Sequence, residues 1–408
     1  MVAKRTALTR ARKAAGYSQE ALAEALHVAS SSVSNWERGL TEPVPYKRPK
    51  LAKLLGVSRN ELESLLNSGA PVHGAVRISG ERAPGPSGGG THAAEPPDDL
   101  WLSGDLSVSI APARTESALV ESLLATLQQY AVADNLAGSH PMLPIAAQQM
   151  VFVEHLLDGS RGRTRHQLLG VAARFAEFTG WLHQDAGHLR AAMQWSDTAL
   201  GFAGEAADVR LTSYIQMRKS NIASDAGTPE MAVGFARDAL QRPKELTPRL
   251  KAVALRQEAH GHAVAGDHDR CARALDQALQ FALDAPDDDT DIARYCTSGF
   301  VEMEAAQCWV ELGDPARALA TLEQALTGWN SSFRRDLGMC LARLAVAHAG
   351  TGHVEKAMTI ARHALTIASE TRSRRTANQL YRTSDLLTTT GAHDQGQHLR
   401  QTVALALG

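Results

Sequence analysis

A glycine recurs along the second half of the chain at Gly187, Gly227, Gly266, Gly313, Gly352 and Gly391, with spacings of 40, 39, 47, 39 and 39 residues. Its surroundings recur with it. Five residues after each glycine stands a small residue: Ala192, Ala232, Cys271, Ala318, Ala357 and Gly396. Twelve after, five repeats carry alanine (Ala199, Ala239, Ala278, Ala325, Ala364) and the last carries Val403. Seven before, all are small again: Gly180, Ser220, Ala259, Ala306, Ala345 and Ser384. Small residues at fixed offsets on both sides of a turn predict two antiparallel helices whose backbones approach closely. Such a pair cannot bury its apolar face alone, so it must stack on the next pair. Residues 116–158 read as one more helical pair without the glycine, capping the array.

The rest of the chain must be organised differently. A length of 408 residues exceeds what one core usually holds. Residues 1–67 read as a short helical unit. The segment 68–115 reads as a flexible linker, because Gly and Pro fill 12 of the 32 positions at 68–99 and large apolar residues are scarce. Residues 116–408 hold the repeats. Charge follows the same division: 11 Lys+Arg against 6 Asp+Glu in residues 1–69, and 31 against 38 in the remainder. A basic head on an acidic body is expected to meet a polyanion through the head. The fold class expected is all-α. No apolar run is long enough for a membrane span, and basic residues from Lys4 to Lys13 interrupt any signal-peptide pattern. The four cysteines form no CxxC pair, which suits a reducing, cytoplasmic setting and predicts neither zinc nor a disulfide framework.

Within the head, Leu8, Ala11 and Ala15 share a helical face, and Gly16 ends that helix. Ser18 can cap a second helix with Ala21, Leu22, Ala25 and Leu26 inward. A turn at 27–29 leads to a third helix over 30–38 with Val33 and Trp36 inward. The run SQEALAEALHV…VSNWERG resembles the lambda-repressor/Cro-type (XRE-like) helix-turn-helix family, and LAKLLGVSRNELESLL at 51–66 matches its last two helices. Ser58 and Glu61 form a capping box opening the fifth. The resemblance implies a five-helix domain that reads double-stranded DNA, usually as a homodimer on a palindromic operator. It places Gln19 on phosphate, and Ser30, Ser31, Ser34 and Asn35 toward base edges. Asn35 is the main specific contact, because an amide can pair bidentately with adenine. Lys47, Arg48 and Lys50 would clamp phosphate. Glu37 would pair with Arg12 in a structural role. His27 and Ala29 depart from the family at its turn glycine and its helix cap. If Ser30 caps the helix in place of Ala29, it is lost to base reading.

The repeats resemble tetratricopeptide repeats, LGDPARALATLEQAL at 312–326 most closely, although the period exceeds the usual ~34 residues. The resemblance implies a right-handed α-solenoid with a concave groove lined at 13, 10 and 6 residues before each turn glycine. That register selects Arg174, Trp181, Tyr214, Asn221, Arg256, His260 and Gln307 as groove residues. Asn221 and Gln307 suit an extended peptide backbone, and Arg174 and Arg256 a carboxylate. The layout is similar to peptide-sensing regulators of Gram-positive bacteria and to actinobacterial regulators of the same architecture. The groove then takes a peptide or small-molecule effector, or serves dimerisation or the chain's own segments. No phosphate-binding loop, HExxH or GxSxG is present, so neither an enzyme nor a cofactor is expected. The GPSGGG run at 85–90 lies in the linker. The acidic stretch 284–291 lacks the calcium-loop glycine and glutamate and reads as the long loop that lengthens one spacing. The pair His260 and His262 lacks an evident third metal ligand. Together these features predict a sequence-specific transcription regulator, the alternative being an adaptor whose head docks a protein.

Overall fold

A computed structural model describes residues 5–26, 30–39, 43, 48–67, 114–286, 288, 290–327 and 333–407, without the side chains of 30, 31, 49, 59, 60, 63, 67 and 114–117. The described residues form helices and turns and no strand. The chain divides into two units, 1–115 and 116–408. No helix among the described residues is long and apolar enough to cross a membrane.

The first unit holds α1 (Thr6–Ala14), α2 (Gln19–Leu26), α3 (Ser30–Glu37), α4 (Arg48–Leu55) and α5 (Arg59–Asn67). Gly16 has φ +82°, the left-handed turn that lets α1 end and α2 begin. Ser18 Oγ accepts from the Ala21 N–H at 3.0 Å, capping α2. At α5 the capping box forms: Glu61 accepts from Ser58 N at 2.8 Å, and Ser58 Oγ accepts from Glu61 N at 3.3 Å. Leu22, Leu26, Val33, Trp36, Leu51 and Leu62 form one buried core. Burial of this apolar set drives helices too short to persist alone.

The second unit opens with α6 (Arg114–Ala137) and α7 (Ser139–Gly159). Six pairs follow: α8 (Gly162–Asp185) with α9 (Leu189–Glu205), α10 (Val209–Asp225) with α11 (Pro229–Ala239), and α12 (Pro248–Val264) with α13 (His268–Leu283). Then come α14 (Ser298–Glu311) with α15 (Pro315–Leu326), α16 (Arg334–Gly350) with α17 (Val354–Thr371), and α18 (Arg374–Thr389) with α19 (His393–Leu407). Each of the six turn glycines ends the first helix of a pair, with φ between +69° and +96°. At Gly187 the next residue, His188, returns its N–H to His183 O at 2.8 Å, and His353 does the same to His348 O at 2.9 Å. Aspartates cap two of the second helices: Asp267 accepts from Arg270 N at 3.0 Å at α13, and Asp314 from Arg317 N at 3.1 Å at α15.

The small residues meet as their offsets require. Ser220 Oγ donates to Ala232 O at 2.7 Å, and Ser384 Oγ donates to Gly396 O at 2.8 Å. At the same place in the first pair, a methyl on Gly180 would lie 3.2 Å from Ala192 O. Position −7 of one helix therefore sits on position +5 of its partner, with no space for a larger side chain. Between α13 and α14, Asp288 and Asp291 satisfy local backbone, accepting from Thr290 N at 2.8 Å and Ala293 N at 2.9 Å.

The array also returns on itself. The turn between α6 and α7 docks on the fifth and sixth pairs. Asp134, 1% exposed, forms an ion pair with Arg335 at the start of α16. Asn135 Oδ1 accepts from Arg335 N at 3.3 Å. Gly138 lies against the Thr371 carbonyl so closely that no Cβ fits there. Asp185, at the end of α8, accepts from Ser139 at 3.3 Å and from Ser373, the α18 cap, at 2.7 Å. Arg375 reaches Asp225 of α10 at 3.0 Å.

Candidate DNA interface and ligand cavity

In the head, α3 buries Val33, Trp36 and Glu37 and leaves Ser32, Ser34 and Asn35 half-exposed. Ser34 and Asn35 lie on one side of the helix because the apolar positions occupy the other. The first turn of α3 contains Ser30 and Ser31, but their side chains lie outside the described residues, as do His27, Ala29 and Lys47. Arg48 opens α4, where its Nε donates to Pro43 O at 3.0 Å, and Lys50 is exposed.

The base of α3 is held by a charged clasp. Arg12 Nε lies 2.7 Å from Glu37 Oε1, and both side chains are 7% exposed. Arg12 also donates to Tyr17 O at 2.7 Å. Gln19 opens α2 as expected, but its amide nitrogen is directed to Glu37 Oε2 at 2.5 Å and not into free space awaiting a phosphate. Burial raises the Glu37 pKa, but hydrogen bonds from Arg12 and Gln19 outweigh it and hold the carboxyl below the ordinary value. The clasp fixes how α3 projects from α1 and α2.

Residues 8–62 match the helix-turn-helix family model. The head is a helix-turn-helix domain. In the helix-turn-helix frame, α2 and α3 are the paired helices. No curated protein matches the chain. Among solved structures, it is similar to a Rap protein crystallised with competence and sporulation factor, at 10% identity and TM-score 0.47 over 72% of this chain and 98% of that one. It is also similar to BtubC (BKLC) from P. vanneervenii, at 16% identity and TM-score 0.40 over 57% of this chain and 91% of that one. At such values these likenesses say nothing of ligand or partner.

The second unit contains a half-open cavity of about 1460 Å³. The first helices of the pairs form its floor, and α6 forms a side through Leu127, Val132 and Asn135. Five of the seven groove residues selected by register line it: Arg174, Trp181, Tyr214, Asn221 and Arg256. His260 and Gln307 do not, and that expectation is corrected. His260 is 3% exposed and packed behind the floor, where burial and Arg256 push its pKa down to about 4, leaving it neutral. Gln307 is turned to Arg343, whose guanidinium it accepts. At the same offset, six before the glycine, Trp181 and Asn221 line the cavity, whereas Gln307 faces Arg343 of the adjacent first helix. The pair His260 and His262 belongs to no cluster of three or more potential metal ligands among the described residues.

The register missed another row. Nine residues before the turn glycines stand Phe178, Arg218, Gln257, Glu304 and Arg343, and all five line the cavity. Charged or amide side chains in four successive repeats were the available signal. This row organises the floor. Arg218 holds Glu177 at 3.0 Å and donates to Gln184 Oε1 at 2.7 Å. Gln184 in turn donates to Asn221 and to Asp225, each at 2.6 Å. Arg256 and Arg343 share Glu304, at 3.2 and 2.6 Å. Burial raises the Glu304 pKa, but the two guanidiniums overcome it and hold the carboxyl far below its ordinary range. Trp181 lies where the array closes. Its Nε1 donates to Asp134 at 2.9 Å, and the guanidiniums of Arg218, Arg335 and Arg375 stand 4.8, 4.6 and 5.4 Å from its ring.

Proposed function

We propose that this protein is a sequence-specific DNA-binding transcription regulator, and that its repeat unit senses a peptide or small molecule in this cavity. The observation that carries the reading is a helix-turn-helix domain whose third helix leaves Ser34 and Asn35 accessible while Val33 and Trp36 anchor it. Phosphate contacts from Arg48, Lys50 and Lys47 would supply most of the affinity, with a steep dependence on salt. Base contacts from Asn35 and its neighbours would supply specificity. In this reading the protein acts in the cytoplasm as a homodimer, because two linked heads match the two-fold symmetry of a palindromic operator. It is not an enzyme in this reading; the cavity serves recognition only. Its size exceeds that of most drug-sized pockets, ~300–1,000 Å³, and leaves space for a short peptide.

The test is an electrophoretic mobility shift of the full chain on its own gene's promoter and on scrambled duplex, with and without peptide and metabolite pools. The expected result is preferential retardation of the promoter, altered by at least one pool that also raises the melting temperature. Equal binding to both duplexes at physiological salt would sink the regulator reading. A shift on the promoter with no response to any pool would sink the sensor reading alone.

A further inference from the structure

The geometry points to an organic acid as the ligand: a carboxylate on an apolar body, with the carboxylate seated on Arg174. This inference rests on reading the cavity as the effector site. Charge is the first argument. Eight arginines and six carboxylates line the cavity, with no lysine or histidine among them. Arg335 pairs with Asp134, Arg218 with Glu177, and Arg375 with Asp225. Arg256 and Arg343 share the single carboxylate of Glu304. With Asp225 counted beside the six lining carboxylates, the eight arginines leave the cavity one positive charge in excess. An apolar-walled site with surplus guanidinium draws an anion and repels a cation.

Arg174 gives that anion a place. It lies half-buried on α8 and makes no ion pair or hydrogen bond among the described residues. The carboxylate nearest it in sequence, Glu177, is already held by Arg218 at 3.0 Å. Arg174 acts on Glu177 through space but makes no bond to it, which leaves its fork able to take a carboxylate through two parallel bonds. Beside it stands Tyr214, whose hydroxyl faces that of Tyr295 and is kept protonated by burial, its pKa pushed up to about 12. A protonated phenol can add a further donor to the same anion.

The apolar body follows from the remaining walls. Tyr295 is 40%, Phe333 50% and Val132 56% exposed, and all three line this cavity. Tyr295 meets Phe300 edge to face, with centroids 5.1 Å apart. Apolar rings left to water inside a concavity are stabilised by an apolar occupant. A fully polar anion would leave that surface wet.

Calorimetric titration of the full chain tests the proposal with two acid–amide pairs. One pair is decanoate and decanamide. The other is the peptide acetyl-Leu-Phe-Leu-Phe with a free and with an amidated C-terminus. We expect at least one acid to bind and its amide to bind roughly 30-fold more weakly, the discrimination expected for loss of a desolvated charge pair. The responding pair tells a free acid from a peptide terminus. Arg174→Gln abolishes the discrimination, whereas Arg174→Lys, which keeps the charge, retains part of it. Circular dichroism verifies that both variants fold. Binding by neither acid overturns the proposal. So does equal binding of acid and amide, although that result leaves the sensor reading standing. Unchanged discrimination in Arg174→Gln moves the anion elsewhere and likewise overturns it.

Discussion

Asn35 and Glu37 stand two residues apart on α3 and face opposite demands. Asn35 is half-exposed, with an amide that can read adenine, whereas Glu37 is buried in the clasp with Arg12 and Gln19. Asn35→Ala is expected to lower preference for the operator by ~1–3 kcal/mol while leaving random-duplex binding intact. Lys50→Ala should weaken both alike and reduce the salt dependence, read by fluorescence anisotropy over a salt series. Equal effects of both variants on specific and random DNA would contradict this division. At the cavity floor, Glu304 makes a pH-dependent contribution. Its folded pKa lies below its ordinary value of 4.5, so its stabilisation is present at neutral pH. That stabilisation is lost as pH falls from about 4.5 through the folded value. Thermal melts from pH 7 to pH 3 should show a smaller loss of stability in Glu304→Gln, which is already weakened at neutral pH.

Each repeat is set by two small requirements: a left-handed turn and a close approach between positions −7 and +5. At Gly396 the approach is closer than at Gly180, since an added Cβ would lie 2.7 Å from Ser384 O. Gly396→Leu should therefore push α19 off α18, costing ~1–3 kcal/mol or more and exposing α19 amides to hydrogen exchange. An unchanged melting temperature would contradict the approach. These requirements are local and were legible in the sequence, as were the capping box at Ser58 and Glu61 and the pairing of Arg12 with Glu37. The inner face of the array was legible only in part. Positions −13 and −10 were placed well, but the row at −9 escaped notice because a helix face is wider than two positions. His260 and Gln307 do not line the cavity because both are buried, Gln307 against Arg343. Nothing local announced that α6 would line the cavity.

On the scale of the unit, closure joins residues about 200 positions apart, such as Asp134 and Arg335. No periodicity in the sequence can show such a pairing. Removing Arg335 leaves Asp134 buried with only the Trp181 N–H to offset its charge. Arg335→Met should cost ~3–5 kcal/mol, read as a lowered melting temperature with faster hydrogen exchange in α6. Exchanging both partners, Asp134→Leu with Arg335→Met, should recover much of that loss. A double variant no more stable than Arg335→Met would contradict the pairing as the source of the effect.

The contact between Gly138 and Thr371 gives the array a different thermodynamic character. An open stack of repeats behaves as a line of nearest neighbours, and such a line melts inward from its ends. Here the opening hairpin is tied to the fifth and sixth pairs through Asp134, Gly138 and Asp185. Its first end is therefore not a terminus in the energetic sense. Opening the hairpin strips neighbours from both extremes at once, so partial melting there gains little chain entropy for the contacts it breaks. The repeats from α6 to α18 should accordingly melt as one calorimetric unit, whereas an open array of the same length would unravel in stages.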